Sequence, residues 1–485
     1  MSNEKCPLVS KDPEATVYPK RRARRDAARY SAIIILKFVA LQIFLVTLWW
    51  CLYRVGIIVW GRHNDRIQTQ TDNTLDSDIT VLTQDPSSFK QHGHNDLMLI
   101  TRKLYEDRIY TSNFSSKFEN GGLEYHTDIP RLKKGLSSGA FWVAWVTCPA
   151  WDADFSDATY DPIVRATLEQ LDLFHRLGAA YPAYFTPTLS SASALRAFEE
   201  GRFIAPLSIE GLHQIGNSIA TLRTYHALGV RYATLTWNCH NIYADAALAT
   251  DAAGRTIAAR PHWGGLSAAG KELVEEMNRL GMLVDLAHVS AAVMRDVLAG
   301  TADGWGGSIA PPFFSHSSAY ALCPHPRNVP DDVLALVRRR RAVVLVNFNE
   351  DFISCTEPVD AETGLPRTYA PNVTLAQVVR HVRYIGELIG YDYVGIGSDF
   401  DGIKGPPKGL DDVSKFPDLV AALLADGVGE DDVVKIVGGN LLRVWGEVDR
   451  VAAELQKVRV PLENGVSDFN GSDPTSKGVE LREES

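Results

Sequence analysis

Five candidate strands in this 485-residue chain end on residues that bind metal ions or carry protons. The first ends in His94-Asn95-Asp96, and residues spaced i, i+2 on an extended strand share a face. The others end in Glu210, in His288, in His316 and in Asp399-Phe400-Asp401. Imidazole nitrogens and carboxylate oxygens are a donor set of Zn²⁺. His94, Asp96, Glu210, His288 and His316 are more donors than one tetrahedral zinc takes. They fit two ions that share a bridging carboxylate and a bridging water. Such a pair acidifies the water and polarises a scissile carbonyl. A single histidine is ordinarily a satisfied core or surface residue. Repetition at the ends of five strands is what points to a site.

Residues so distant in sequence meet only if the fold brings those ends to one face. Candidate strands are 88–93, 141–147, 204–210, 232–237, 282–288, 311–316, 342–348 and 393–399. Helical spacing of apolar residues marks 162–177, 217–228, 267–280, 290–299, 330–340, 374–389 and 413–425 between most of them. Strands alternating with helices predict a parallel sheet with crossovers. Eight units predict an α/β fold closed as a (β/α)8 barrel over residues 87–450, with every strand C-terminus on one face. An open doubly wound sheet is the competing architecture. No Gly-rich phosphate loop follows the first strand, which counts against it.

The flanks differ in kind. Residues 1–60 carry ten basic and four acidic residues, and the remainder is net −16. A body of that charge is a poor partner for nucleic acid. Residues 31–60 hold an apolar run, uncharged from Phe38 to Tyr53, with Trp49, Trp50 and Tyr53 toward one end. At 1.5 Å rise per residue, a helix over 31–53 spans a ~30 Å hydrocarbon core. The basic block from Lys20 to Arg29 predicts a cytoplasmic tail at 1–30. A secretory signal peptide is the rival, but no clean small-x-small cleavage site follows. The expectation is a single-pass type II protein anchored in a lipid bilayer, with a lumenal or extracellular body. Residues 61–86 read as a polar stalk and 451–485 as a polar tail. An oxidising compartment permits disulfides. It also makes the sequons at Asn113, Asn372 and Asn470 usable for glycosylation.

Several stretches together resemble the membrane (renal-type) dipeptidases, the zinc dipeptidases of peptidase family M19 in the metallo-dependent hydrolase superfamily. They are His94-Asn95-Asp96, HTDIPRLKKGLSSGAFW (126–142), IEGLH (209–213), LAHVS (286–290), FSHSSAYALCPHPRNVPDD (314–332), GSDFDG (397–402) and DDVSKFPDL (411–419). The resemblance runs from about Phe89 to Val448 and implies the same barrel. It implies His94 and Asp96 on a first zinc, His288 and His316 on a second, and Glu210 bridging both. It further implies hydrolysis of dipeptides by a metal-bridging water. Asp399 is then the acid/base, and Arg327 holds the C-terminal carboxylate of the substrate. A bidentate guanidinium fork suits that role. The resemblance pairs Cys148 with Cys239 and Cys323 with Cys355, and it makes a homodimer an expectation.

One position departs from the pattern. The family reads Thr-Leu-Thr-His where this chain has Thr234-Leu235-Thr236-Trp237. That histidine bonds the substrate and the tetrahedral intermediate. An indole donates one hydrogen bond and carries no proton or charge. His240, three residues on, is a candidate to fold back into its place. The alternative reading is a metal-binding relative whose amide-hydrolase activity is weak or redirected. Hydrolases of cyclic amides, which favour His-x-His and a bridging lysine, fit this chain poorly.

Overall fold

Eight strands pair in chain order, all parallel, and all but the polar first one are built mainly from apolar residues: β1 Gln91–Asn95, β2 Gly139–Ala144, β3 Leu207–Glu210, β4 Val230–Thr234, β5 Leu283–Asp285, β6 Phe313–Phe314, β7 Val343–Val346 and β8 Val394–Ile396. The sheet closes where Asn95 bridges Phe400, and the Asp96 amide donates to the Phe400 carbonyl at 3.0 Å. The protein is seen as a computed structural model that describes residues 91–149 and 154–463. The expected cytoplasmic tail, anchor, stalk and Asn470 lie outside the described residues. Among the described residues no helix is long and apolar enough to cross a membrane.

Helices form where predicted: Asp157–Ala180, Ile219–Ala227, Ala268–Leu280, Ala291–Ala299, Asp331–Arg339, Leu375–Ile389 and Phe416–Ala425. Ser156, Ser218, Ser267, Ser290 and Thr374 each cap a helix by accepting a backbone N–H. Such caps are worth ~1 kcal/mol each. Burial on both faces is what a parallel sheet wrapped by helices requires, and β2, β3, β4 and β7 are buried throughout. The last described helix, Asn440–Val458, packs against a buried cluster of strand residues. Its Trp445 packs 5.4 Å from the Phe141 ring, within a cluster that includes Tyr232, Leu283, Phe313, Val343 and Leu345.

Three details depart from expectation. The strands end earlier than the apolar runs: β5 stops at Asp285, β6 at Phe314 and β8 at Ile396. His288, His316 and Asp399 therefore sit on turns past the strands. Helices Leu97–Tyr105, Ser112–Asn120 and Ile129–Lys134 fill the segment between β1 and β2. The last helix also runs past residue 450, where the barrel was expected to end.

Candidate metal centre and active site

The strand ends bring the five predicted ligands and Asp399 into one buried cluster. His94 lies on β1, and Asp96 follows as the N-cap of helix Leu97–Tyr105. The two meet through this turn rather than by strand alternation, because Asp96 has φ −101° and ψ 29°. His94 Nε2 lies 3.0 Å from Asp96 Oδ2, 3.7 Å from Glu210 Oε2 and 3.9 Å from Asp399 Oδ1. Glu210 Oε1 lies 2.8 Å from His288 Nε2 and 3.4 Å from His316 Nε2. One oxygen of Glu210 thus faces His94, and the other faces the His288–His316 pair. His288 and Asp399 hold left-handed φ values of 66° and 63°, which non-glycine residues seldom adopt. Such strain persists where surrounding structure enforces it.

All three imidazoles are fixed from behind. The Nδ1 of His94 bonds the Tyr232 hydroxyl at 2.8 Å, that of His288 meets Asn238 Oδ1 at 2.9 Å, and that of His316 bonds Ser315 Oγ at 2.7 Å. Ser315 Oγ in turn donates to Asp285 Oδ2 at 2.6 Å. Asp285 is buried and also accepts from Thr234 Oγ1 and from the amides of Ala287 and Ser315. With Nδ1 engaged on every ring, each Nε2 is directed into the cluster. Backing of this kind orients metal-binding histidines and tunes their basicity.

The donor set fits cations. His94 Nε2 and Asp96 Oδ1 are buried with no hydrogen-bond partner. The ring nitrogens of His288 and His316 face each other at 3.0 Å. His94, Glu210 and His316 form one group able to hold an ion, and His94, Asp96 and Asp399 form a second. Burial pushes Asp96 and Glu210 far above the usual carboxylate range and Asp399 up to about 7. Burial pushes His288 and His316 well below the usual imidazole range. Gly402 leaves room here, since a Cβ would lie 2.6 Å from Asp399 Oδ1 and against the Asp96 carboxylate.

Against this geometry, the chain matches the family model described as membrane dipeptidase (peptidase family M19) over residues 87–459. The chain belongs to the M19 membrane dipeptidase family. As a member of that family of metallopeptidases it is a dipeptidase. It is 44% identical over 391 residues to Dipeptidase aclJ of Aspergillus oryzae, covering 80% of this chain and 84% of that protein. It is 38% identical over 398 residues to Dipeptidase tcpJ of Claviceps purpurea, covering 82% and 85%. Among solved structures, a metallo peptidase from Rhodobacter sphaeroides, liganded with a phosphinate mimic of the dipeptide L-Ala-D-Ala, superposes with a TM-score of 0.62. That protein is 26% identical and covers 75% of this chain and 99% of its own.

The other predicted residues of this M19 chain have these surroundings. Arg327 is buried, and the charges of Asp399 and Glu210 act on it. Its Nη2 lies 3.5 Å from the His316 carbonyl, and its Nε meets no acceptor. Burial lowers its proton affinity to about 10, so it remains a cation at neutral pH. Trp237 is half-buried, edge-to-face with Trp145 at 4.8 Å and 6.2 Å from the His288 ring. The Cys148–Cys239 and Cys323–Cys355 disulfides are present, with Cα separations of 6.1 and 5.1 Å. His240 does not turn toward the ligands. Its Nδ1 lies 3.2 Å from Asp245 Oδ1 and accepts the Ala246 amide. Asn113 is exposed on helix Ser112–Asn120, and Asn372 is half-buried.

Tyr232, Asn238, Asp285 and Ser315 were not singled out from the sequence. An aspartate inside the apolar run Met282–Ala287 was the available signal, because a buried charge there needs partners. Tyr232 gave none, since its ring reads as ordinary strand core.

Proposed function

We propose that this M19 enzyme hydrolyses dipeptides with two Zn²⁺ ions, one held by His94, Asp96 and Glu210 and the other by Glu210, His288 and His316. When bound, such a pair supplies Lewis-acid polarisation of the peptide carbonyl and lowers the pKa of water. The protein's own groups then do the following. Arg327 binds the C-terminal carboxylate and orients the scissile bond, which favours dipeptides over longer chains. Asp399 takes a proton from the attacking water and returns it to the leaving amine nitrogen. A group that titrates near neutrality suits both steps, and burial moves Asp399 there. The observation that carries the reading is the convergence of three Nε2 atoms on the two Glu210 oxygens. The phosphinate dipeptide mimic held by the Rhodobacter sphaeroides relative agrees with this substrate class.

Elemental analysis with a ninhydrin assay on a dipeptide panel tests this. Two zinc ions per chain with turnover is the expected result, and metal binding without turnover on any dipeptide would favour redirected activity. Zinc uptake by the metal-stripped protein at pH 7 is expected to release protons. Asp96, Glu210 and Asp399 all hold protons to higher pH than free carboxylates, and cations displace them. Apparent affinity therefore rises with pH through the raised range of the ligand carboxylates Asp96 and Glu210. Calorimetry in two buffers of different ionisation heat reads the proton count, and identical heats would contradict displacement.

We further propose a type II membrane protein with residues 1–30 cytoplasmic, the anchor segment 31–60 in the bilayer and the body lumenal or extracellular. Protease added to intact microsomes should trim only the N-terminus, and an N-glycanase should shift the protected band. A protected N-terminus with a digested body would overturn this topology. A homodimer belongs to the same reading, and light scattering would show twice the chain mass.

A further inference from the structure

Arg327 and Phe352 lie on separate segments that several contacts lock together. The guanidinium carbon of Arg327 stands over the Phe352 ring, 4.9 Å from its centroid. Phe352 also packs against His325 at 4.5 Å, and His325 Nδ1 accepts the Arg327 amide at 3.2 Å. Asn328, next in sequence to Arg327, donates through Nδ2 to the carbonyls of Cys323 and Phe352 at 2.9 and 2.7 Å. Its Oδ1 accepts the Ser318 amide at 3.1 Å. The Cys323–Cys355 disulfide fastens the same two segments. Arg327 and Phe352 are only 3% and 7% exposed, so the arginine cannot be steadied by bulk water.

A guanidinium carries five N–H donors in a planar fork and no acceptor. A buried fork normally spends those donors on protein acceptors. Here Nε has none, and Nη2 makes one long contact. The ring supplies attraction without consuming an N–H, because an aromatic face draws a cation through its quadrupole. We infer that Phe352 is a positioning residue that fixes the Arg327 fork over its ring and leaves the N–H edge free for a planar carboxylate, so that Phe352 sets the preference for a free C-terminal carboxylate over a neutral terminus. This rests on reading Arg327 as the carboxylate clamp.

Phe352→Leu keeps apolar bulk and removes the aromatic face. With dipeptide acids it is expected to raise KM about five- to thirty-fold with kcat within about two-fold. The preference for a dipeptide over its C-terminal amide should shrink in parallel. Phe352→Tyr restores the ring and should restore KM. Phe352→Met does the work of the leucine variant if that protein does not fold. Loss in kcat at unchanged KM, or a tyrosine variant as impaired as the leucine one at equal thermal stability, overturns the inference. Arg327→Met separates the two readings. If it raises KM while Phe352→Leu and Phe352→Met do not, the clamp stands and the role of Phe352 falls. If it leaves KM unchanged, the clamp reading fails and the inference with it.

Discussion

Glu210→Gln is expected to abolish turnover and reduce bound metal to one ion or fewer while the barrel stays folded. Among the described residues, Glu210 is the one carboxylate whose two oxygens face different histidines, Oε2 toward His94 and Oε1 toward His288 and His316. An amide offers a neutral, weaker oxygen and replaces the other with a donor, so it cannot offset two divalent charges. Losing even part of the Lewis-acid stabilisation, several kcal/mol, slows hydrolysis by ~10³-fold or more. The fold should survive because Gln has nearly the same shape and the Glu210 amide keeps its bond to Gln214 Oε1 at 3.0 Å. In the metal-stripped protein burial already favours the protonated, uncharged form of Glu210, which a neutral amide of the same shape replaces at little cost. The metal-stripped variant should therefore melt no lower than the stripped wild type, yet gain less on zinc addition. Elemental analysis showing two retained zinc ions would contradict the bridging role.

The barrel and the gathering of His94, Asp96, Glu210, His288, His316 and Asp399 at one end were legible in the sequence because both are repeated signals. Eight candidate strands with helices between most of them allow few topologies, and five strands ending in His or a carboxylate mark the common face. What stayed hidden depends on contacts between turns. Asn238 reads as a loop residue until the chain closes and its side chain meets His288 Nδ1. Ser315 reads as a neighbour of His316 until β5 places Asp285 beside it. Phe352 reads as core until Arg327 lies over it. The strand limits were overdrawn for a related reason. Hydrophobicity continues past the last ladder hydrogen bond, because turns such as Leu286–Ala287 are as buried as the strands they follow.

Trp237→His is expected to raise kcat/KM on ordinary dipeptides by at least ~10-fold, or ~1.4 kcal/mol of transition-state stabilisation. The disulfide at Cys239 pins the loop, and Trp237 forms a bridge with Cys239, so a new imidazole starts from a fixed backbone. The indole now stands beside the cluster, 6.2 Å from the His288 ring, and His240 is held by Asp245. An imidazole at 237 can donate to a developing oxyanion, and donors of that kind are worth roughly 2.7–4 kcal/mol in a serine protease. The substitution also forfeits the edge-to-face contact with Trp145, worth ~0.5–1.5 kcal/mol to the fold. The change should therefore lower the melting temperature slightly while raising kcat. A gain in kcat indicates an interaction made mainly in the transition state, whereas a gain in KM alone indicates relief of crowding. If the indole narrows the pocket, the wild type should favour small side chains and the variant should gain most on large ones. Unchanged kcat and KM across small and large dipeptides, at equal zinc occupancy, would show that neither rate nor specificity is set at Trp237.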